Sequence, residues 1–130
     1  MEKMSNNGRV INWFEIPVLD MPRAVKFYEA TFDVTLVPFG MPGMQMFCFP
    51  ADDSAGATSG ALVKEESVKP GSDGVTIYLN ANPDIAQVVG RAEVAGAQII
   101  VPKTFINDEI GYFAIVIDSE GNRIGLHAEK

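Results

Sequence analysis

The sequence predicts an α+β protein made of two tandem βαβββ modules, and three observations carry that expectation. The stretch 111–130, GYFAIVIDSEGNRIGLHAEK, alternates around a turn: 112–117 is β-branched and aromatic, 118–122 holds Asp118, Gly121 and Asn122, and 124–127 resumes the alternation. Asp and Asn side chains bond their own backbone and Gly accepts positive φ, so this stretch is a β-hairpin. The order strand, helix, strands is met twice, on either side of a polar segment, 65–74, that carries Pro70-Gly71. Finally, one constant shift of 63 residues (Ile16 to Leu79) also sets Trp13 against Thr76, Val18 against Ala81, Val25 against Val88, Leu36 against Ile99, Ala61 against Ile124 and Val63 against Leu126. Identities are almost absent, yet the inward-pointing character mostly matches, and the register slips in the third strands, where the two loops differ in length. Repeats of this size bury a shared core that neither unit could bury alone.

Each element has a local reason. Residues 9–18 alternate, with Phe14, Ile16 and Val18 on one face and Trp13, Glu15 and Pro17 on the other, which predicts a strand. Asp20 is placed to cap a helix that has Pro22 in its first turn and runs to about Phe32. Ala24, Phe27, Tyr28 and Thr31 share one side of it at spacings of three and four. Two further strands, 34–39 and 44–49, flank turn residues at 40–43; a loop at 50–59 leads to a short strand at 60–64. In the second half, 75–81 is a strand, Pro83 opens a helix to about Ala95, Gly96 stops it, and 98–101 is a strand followed by a loop and the terminal hairpin. Module one spans about 9–64, 65–74 is the linker, module two spans about 75–128, and the whole of 1–130 is one domain.

Composition narrows the function classes. A chain of 130 residues, 47% hydrophobic and 21% charged, is long enough to bury a real core. A formal net charge of −7 with no basic run argues against nucleic-acid and anionic-membrane partners. No apolar run reaches membrane-spanning length, and the polar first eight residues lack the apolar core of a secretion signal, so a cytoplasmic location is expected. Cys48 is the only cysteine; between two phenylalanines it reads as a buried structural thiol. Asp52-Asp53 and Glu65-Glu66 read as solvated loop charges. The Met-rich run Met41 to Met46 could fill core gaps or line a ligand entrance. There is no G-x-S-x-G, phosphate-binding glycine loop, C-x-x-C or H-E-x-x-H.

Two motifs carry a family resemblance. The first is Glu15-Ile-Pro-Val-x-Asp-x-x-Arg-Ala-x-x-Phe-Tyr28; the second is the terminal strand, Asp118-x-x-Gly-Asn122 and Ile124-Gly-Leu-His127. Over about 9–128 the chain resembles the vicinal-oxygen-chelate group of glyoxalases, bleomycin-resistance proteins and dioxygenases, and within it the bacterial branch related to lactoylglutathione lyase. The resemblance implies modules whose strands curl into half-barrels, helices outside, a cleft enclosed by paired modules, and homodimers. Metal-dependent members carry His or Glu on the cleft face of the first and fourth strands of each module. Those positions here are Trp13, Leu62, Thr76 and Gly125, and their neighbours offer no ligand either, so neither metal nor other cofactor is expected.

What remains is a cleft face expected to present Trp13, Glu15, Leu62, Lys64, Thr76, Tyr78, Asn80, Arg123, Gly125 and His127. Glu15, on a mostly apolar strand, is a candidate base, or a partner for Lys64 or Arg123. His127, the sole histidine, is a candidate acid or base, or simply part of the pocket wall. Trp13 either stacks on a planar ligand or plugs the space a metal would take. The expected function is binding of a small organic molecule, with three versions open: a metal-independent lyase or isomerase, a non-catalytic sequestering or resistance protein, and an interaction domain whose cleft its own side chains fill.

Overall fold

In the computed structural model, which describes residues 3–52 and 56–130 (the side chain of Met41 excepted), the chain follows the βαβββ order twice. Asp53, Ser54 and Ala55 of the loop expected at 50–59 lie outside the described residues, as do Met1 and Glu2. Module one runs β1 (Trp13–Pro17), α1 (Met21–Phe32), β2 (Val37–Met41), β3 (Met44–Cys48) and β4 (Ser59–Lys64); module two runs β5 (Tyr78–Asn80), α2 (Ile85–Val94), β6 (Gln98–Asn107), β7 (Gly111–Ile117) and β8 (Arg123–Ala128). Each module forms a four-stranded sheet, in the orders β1-β4-β3-β2 and β5-β8-β7-β6. The first strand of each module pairs parallel with the fourth, and the other pairs are antiparallel. Both sheets are therefore mixed.

The caps sit where the sequence puts them. The Asp20 side chain accepts from the Arg23 amide at 3.1 Å, and Asp33 ends α1 in the left-handed region at φ 54°. The side of α1 that carries Met21, Ala24, Phe27, Tyr28 and Thr31 is buried. Gly96, at φ 105°, comes just after the Ala95 cap of α2, where a side chain would be strained.

Several boundaries move, each for a reason. β2 starts at Val37 rather than Val34 because Glu29 holds the chain leaving α1: its carbonyl accepts from Val34 and its carboxylate from Leu36, at 3.3 and 2.8 Å. Gly40 and Met41 pair inside the strand, so the turn is only Pro42-Gly43. α2 begins at Ile85, capped by Asp84, two residues later than Pro83 had suggested. β1 and β5 are shorter than the runs 9–18 and 75–81, since a strand is as long as its partner allows and these pair with Ser59–Val63 and Gly125–His127. The largest difference is β6, ten residues long where four were expected. It takes in most of the supposed loop at 102–110, with register shifts on both sides of Val101. Pro102 is tolerated there because β6 is an edge strand, where a missing N–H faces no neighbour.

A single buried cluster draws on both modules: Ile16, Val18 and Leu62 of the first sheet, Phe27 and Tyr28 of α1, Ile85 and Val88 of α2, and Ala114, Val116, Ile124 and Leu126 of the second sheet. The turn of the terminal hairpin then fastens one module to the other. Glu120 Oε1 accepts from the Leu19 and Asp20 amides, both at 2.9 Å, and its carboxylate pairs with Arg23 at 2.7 Å. Asn122 donates to the Pro17 carbonyl, and the buried Tyr28 hydroxyl donates to Asp118 at 2.5 Å. Burial, then the Asp118 charge, pushes the Tyr28 phenol well above its ordinary range.

One buried polar atom among the described residues, Thr31 Oγ1, has no partner. A stranded hydroxyl is a standing penalty. Thr31→Val keeps the shape and removes the stranded group, so it is expected to stabilise the protein by about 1 kcal/mol, measured by urea unfolding.

Candidate functional site

The face of the sheets turned away from the helices is built by alternation. On β1 it carries Trp13 and Glu15, and the register sets these against Ser59 and Ala61 of β4. Ala61 and Val63 pack with Met46 into a small second cluster on this side, with Met44 and Cys48 at its margin. Module two contributes Thr76, Tyr78 and Asn80 from the β5 segment and Arg123, Gly125 and His127 from β8, with Tyr78 opposite Gly125 and Asn80 opposite His127.

Two expected members lie elsewhere. Leu62 is 0% exposed and belongs to the helix-side core, opposite Ile16 and Phe47. Lys64, two residues further on, is exposed and follows the same side. The cause is the slip between modules. β1 pairs with β4 at Trp13–Ser59 and β5 with β8 at Tyr78–Gly125, so the fourth strands superpose at a shift of 64 (Leu62 to Leu126) while the first strands keep 63 (Ile16 to Leu79). A one-residue slip turns every side chain of a strand to the other face.

The polar groups that remain are held individually. Trp13 is 44% exposed, too open to be a plug, and its indole N–H donates to Glu15 Oε2 at 3.2 Å. Glu15 makes no ion pair; the pairing with Lys64 or Arg123 is absent among the described residues, where Arg23–Glu120 is the salt bridge. Arg123 instead donates to the Thr76 hydroxyl at 2.7 Å. His127 Nε2 lies 2.7 Å from the Ile110 carbonyl.

Gly125 has a steric role. A Cβ there would stand 2.5 Å from the Tyr78 ring, so the aromatic ring lies directly over the backbone. Any side chain at this position would have to displace it.

Two hollows open on this face. One of about 450 Å³ at the junction of the modules is lined by Trp13, Glu15 and Arg123; the other, of about 530 Å³, is lined by Tyr78, Asn80, Phe113 and His127. Both fall in the size range of small-molecule sites. Two larger hollows exist. One of about 1050 Å³ lies between α1 and α2, and one of about 870 Å³ has Met44 and Met46 in its wall. The Met-rich run thus serves both as lining and, through Met46, as packing. Size alone does not choose among these hollows, and it is the cleft face that collects a carboxylate, an imidazole, a guanidinium and three aromatic rings. Ile106 was not among the expected site residues because 102–110 was read as a loop, and Phe113, on β7, was missed because only first and fourth strands were expected to line the cleft. The alternation Thr104-Phe105-Ile106 before Asn107-Asp108 was the available signal.

Among the described residues, no three His, Cys, Asp or Glu side chains are grouped so that they could hold a metal ion. No helix there is long and apolar enough to cross a membrane.

With this fold and face in hand, comparison with known proteins gives the class. Residues 10–126 match the model of the Glyoxalase/Bleomycin resistance protein/Dioxygenase superfamily. The chain belongs to that superfamily. Among solved structures it is similar to a glyoxalase/bleomycin resistance protein from Streptomyces sp. CB03234 (28% identity, TM-score 0.64, 88% of this chain and 96% of that one). It is similar also to the trypanothione-dependent glyoxalase I of Leishmania major (19%, 0.66, 94% and 88%). For glyoxalase I from Zea mays the figures are 18% and 0.65, with 91% of this chain covering 45% of that one, so the chain spans less than half the length of the maize enzyme. No curated protein matches the chain.

Proposed function

We propose that this superfamily member binds a small organic molecule on the cleft face without a metal, as a sequestering rather than a catalytic protein. The observation that carries the reading is the character of the face: exposed aromatic rings beside single, separately held polar groups. The donor set does not fit the family's cation. A transition-metal site needs several His, Cys or carboxylate ligands at about 2.0–2.3 Å from one point, and the first- and fourth-strand positions offer an indole, a hydroxyl and a glycine under a tyrosine ring.

A metal-independent lyase or isomerase would use Glu15 or His127 with Tyr78 or Arg123 as electrostatic partner. Glu15 shares a hollow with Arg123 and His127 with Tyr78, but Arg123 is engaged by the Thr76 hydroxyl and Glu15 by the Trp13 indole, which favours binding over turnover. A homodimer fits the exposed apolar side chains Trp13, Val37, Phe39 and Tyr78, which a second copy would cover. Sedimentation at micromolar concentration is expected to give a dimer, and a monomer would refute it. A cytoplasmic location suits a chain with one free thiol and no disulfide.

Trp13→Ala tests the site. Because the ring is nearly half exposed, its loss should cost less than about 1.5 kcal/mol of stability, well short of the roughly 3–5 kcal/mol of a buried Trp. Ligand binding should fall about tenfold or more, since stacking on an aromatic face is worth about 0.5–1.5 kcal/mol beyond the area it buries. A metabolite screen by thermal shift supplies the ligand, and a ligand at a hundredfold over Kd adds about 2.7 kcal/mol. Turnover of that ligand, lost in Glu15→Gln with binding kept, would overturn the sequestering reading in favour of an enzyme.

A further inference from the structure

The module-two hollow has a chemistry of its own, set by one hydrogen bond. A carbonyl oxygen only accepts, so the 2.7 Å contact between His127 Nε2 and the Ile110 carbonyl requires the proton on Nε2. In the neutral ring Nδ1 is then a bare acceptor, and no protein group among the described residues donates to it. The carbonyl is itself held in place. Asn107 Oδ1 accepts from the Glu109 and Ile110 amides at 3.0 and 2.7 Å, which pins the β6–β7 turn over His127. Across the hollow, Asn80 Oδ1 is occupied by the Asn82 amide at 2.8 Å, so its Nδ2 is the group left to donate. Tyr78 and Phe113 meet edge to face at 6.4 Å between centroids and wall the space, with Ile106 beside them. No lining side chain carries a formal charge when His127 is neutral.

We infer that this end of the cleft selects an uncharged planar ring bearing a hydrogen-bond donor, a phenolic hydroxyl or ring N–H, which donates to His127 Nδ1 while the ring packs against Tyr78 and Phe113. Asn107 is a positioning residue: it acts through the Ile110 carbonyl, which selects the imidazole tautomer. An ionised ligand is disfavoured because burying a charge against unionised groups is costly. The inference rests on the reading of the cleft face as a small-molecule site and adds the class of molecule.

The chain has one histidine and one tryptophan, so each end of the cleft carries its own reporter. Two-bond imidazole 1H–15N spectra at about pH 8.5, some two units above the ordinary histidine value, should show the Nε2–H tautomer. Phenol, added as the probe, should shift the His127 signals at a concentration about three- to tenfold lower than toluene does, the ratio one hydrogen bond supplies. Benzoate should be weaker than phenol. His127→Phe keeps a ring but removes the acceptor and should make phenol and toluene equal. Asn107→Ala should mix the tautomers and narrow the same ratio while the fold is kept. An Nδ1–H tautomer, or equal response to phenol and toluene in the unaltered protein, overturns the inference. Phenol that changes Trp13 fluorescence without moving His127 also overturns it, but leaves the cleft reading standing. Silence at both reporters with phenol, toluene and benzoate overturns both.

Discussion

Glu120→Gln is expected to lower the unfolding free energy by about 2–4 kcal/mol, somewhat below the range for breaking a buried ion pair because Arg23 is half exposed. The carboxylate accepts from two backbone amides, the Arg23 guanidinium and the Ser119 hydroxyl. A glutamine offers one oxygen for that set and turns an N–H₂ toward other donors. The effect is also pH-dependent, with a definite sign. Burial by itself would raise the Glu120 carboxyl, but the Arg23 hydrogen bond and then the Asp20 and Leu19 amides outweigh it and hold the group at about 2, against an ordinary value of 4.5. A depressed folded-state pKa stabilises above the unfolded value and is lost as pH falls through the folded one. Unfolding free energies of the two proteins should therefore differ fully above pH 4.5 and converge as pH approaches 2. A constant difference across that window would show that the carboxylate's charge is irrelevant and that only its shape matters.

Leu62→Ala should cost about 3–5 kcal/mol, near the upper end for a fully buried leucine, because Leu62 is packed with Ile16, Phe27 and Tyr28 at 0% exposure. Had it stood on the cleft face, the same change would have altered ligand binding and left stability within about 0.5 kcal/mol, as surface substitutions usually do. Urea unfolding of this one variant thus decides the register of β4. A loss below about 1 kcal/mol would return Leu62 to the cleft and invalidate the face described here.

Sequence reasoning reached the family, the element order, the Asp20 cap and the buried side of α1. These are matters of period and local chemistry. A strand repeats every two residues and a helix every three to four, and a capping aspartate or a turn of Asp, Gly and Asn acts on backbone groups a few positions away. Tertiary structure alone decided the rest. Whether Leu62 or Ala61 faces the cleft depends on which residue of β1 each meets, and one extra residue in a distant loop reverses the answer. The length of β6 depends on β7 offering it partners. The role of Asp118, Glu120 and Asn122, which locally are only a turn, depends on Tyr28, Arg23 and Pro17 lying about a hundred residues earlier in the chain yet in contact with them. No window of sequence contains both sides of such a contact. The tautomer of His127 likewise waits on the Ile110 carbonyl, a backbone atom whose position is set by the folded hairpin and not by the type of residue that carries it.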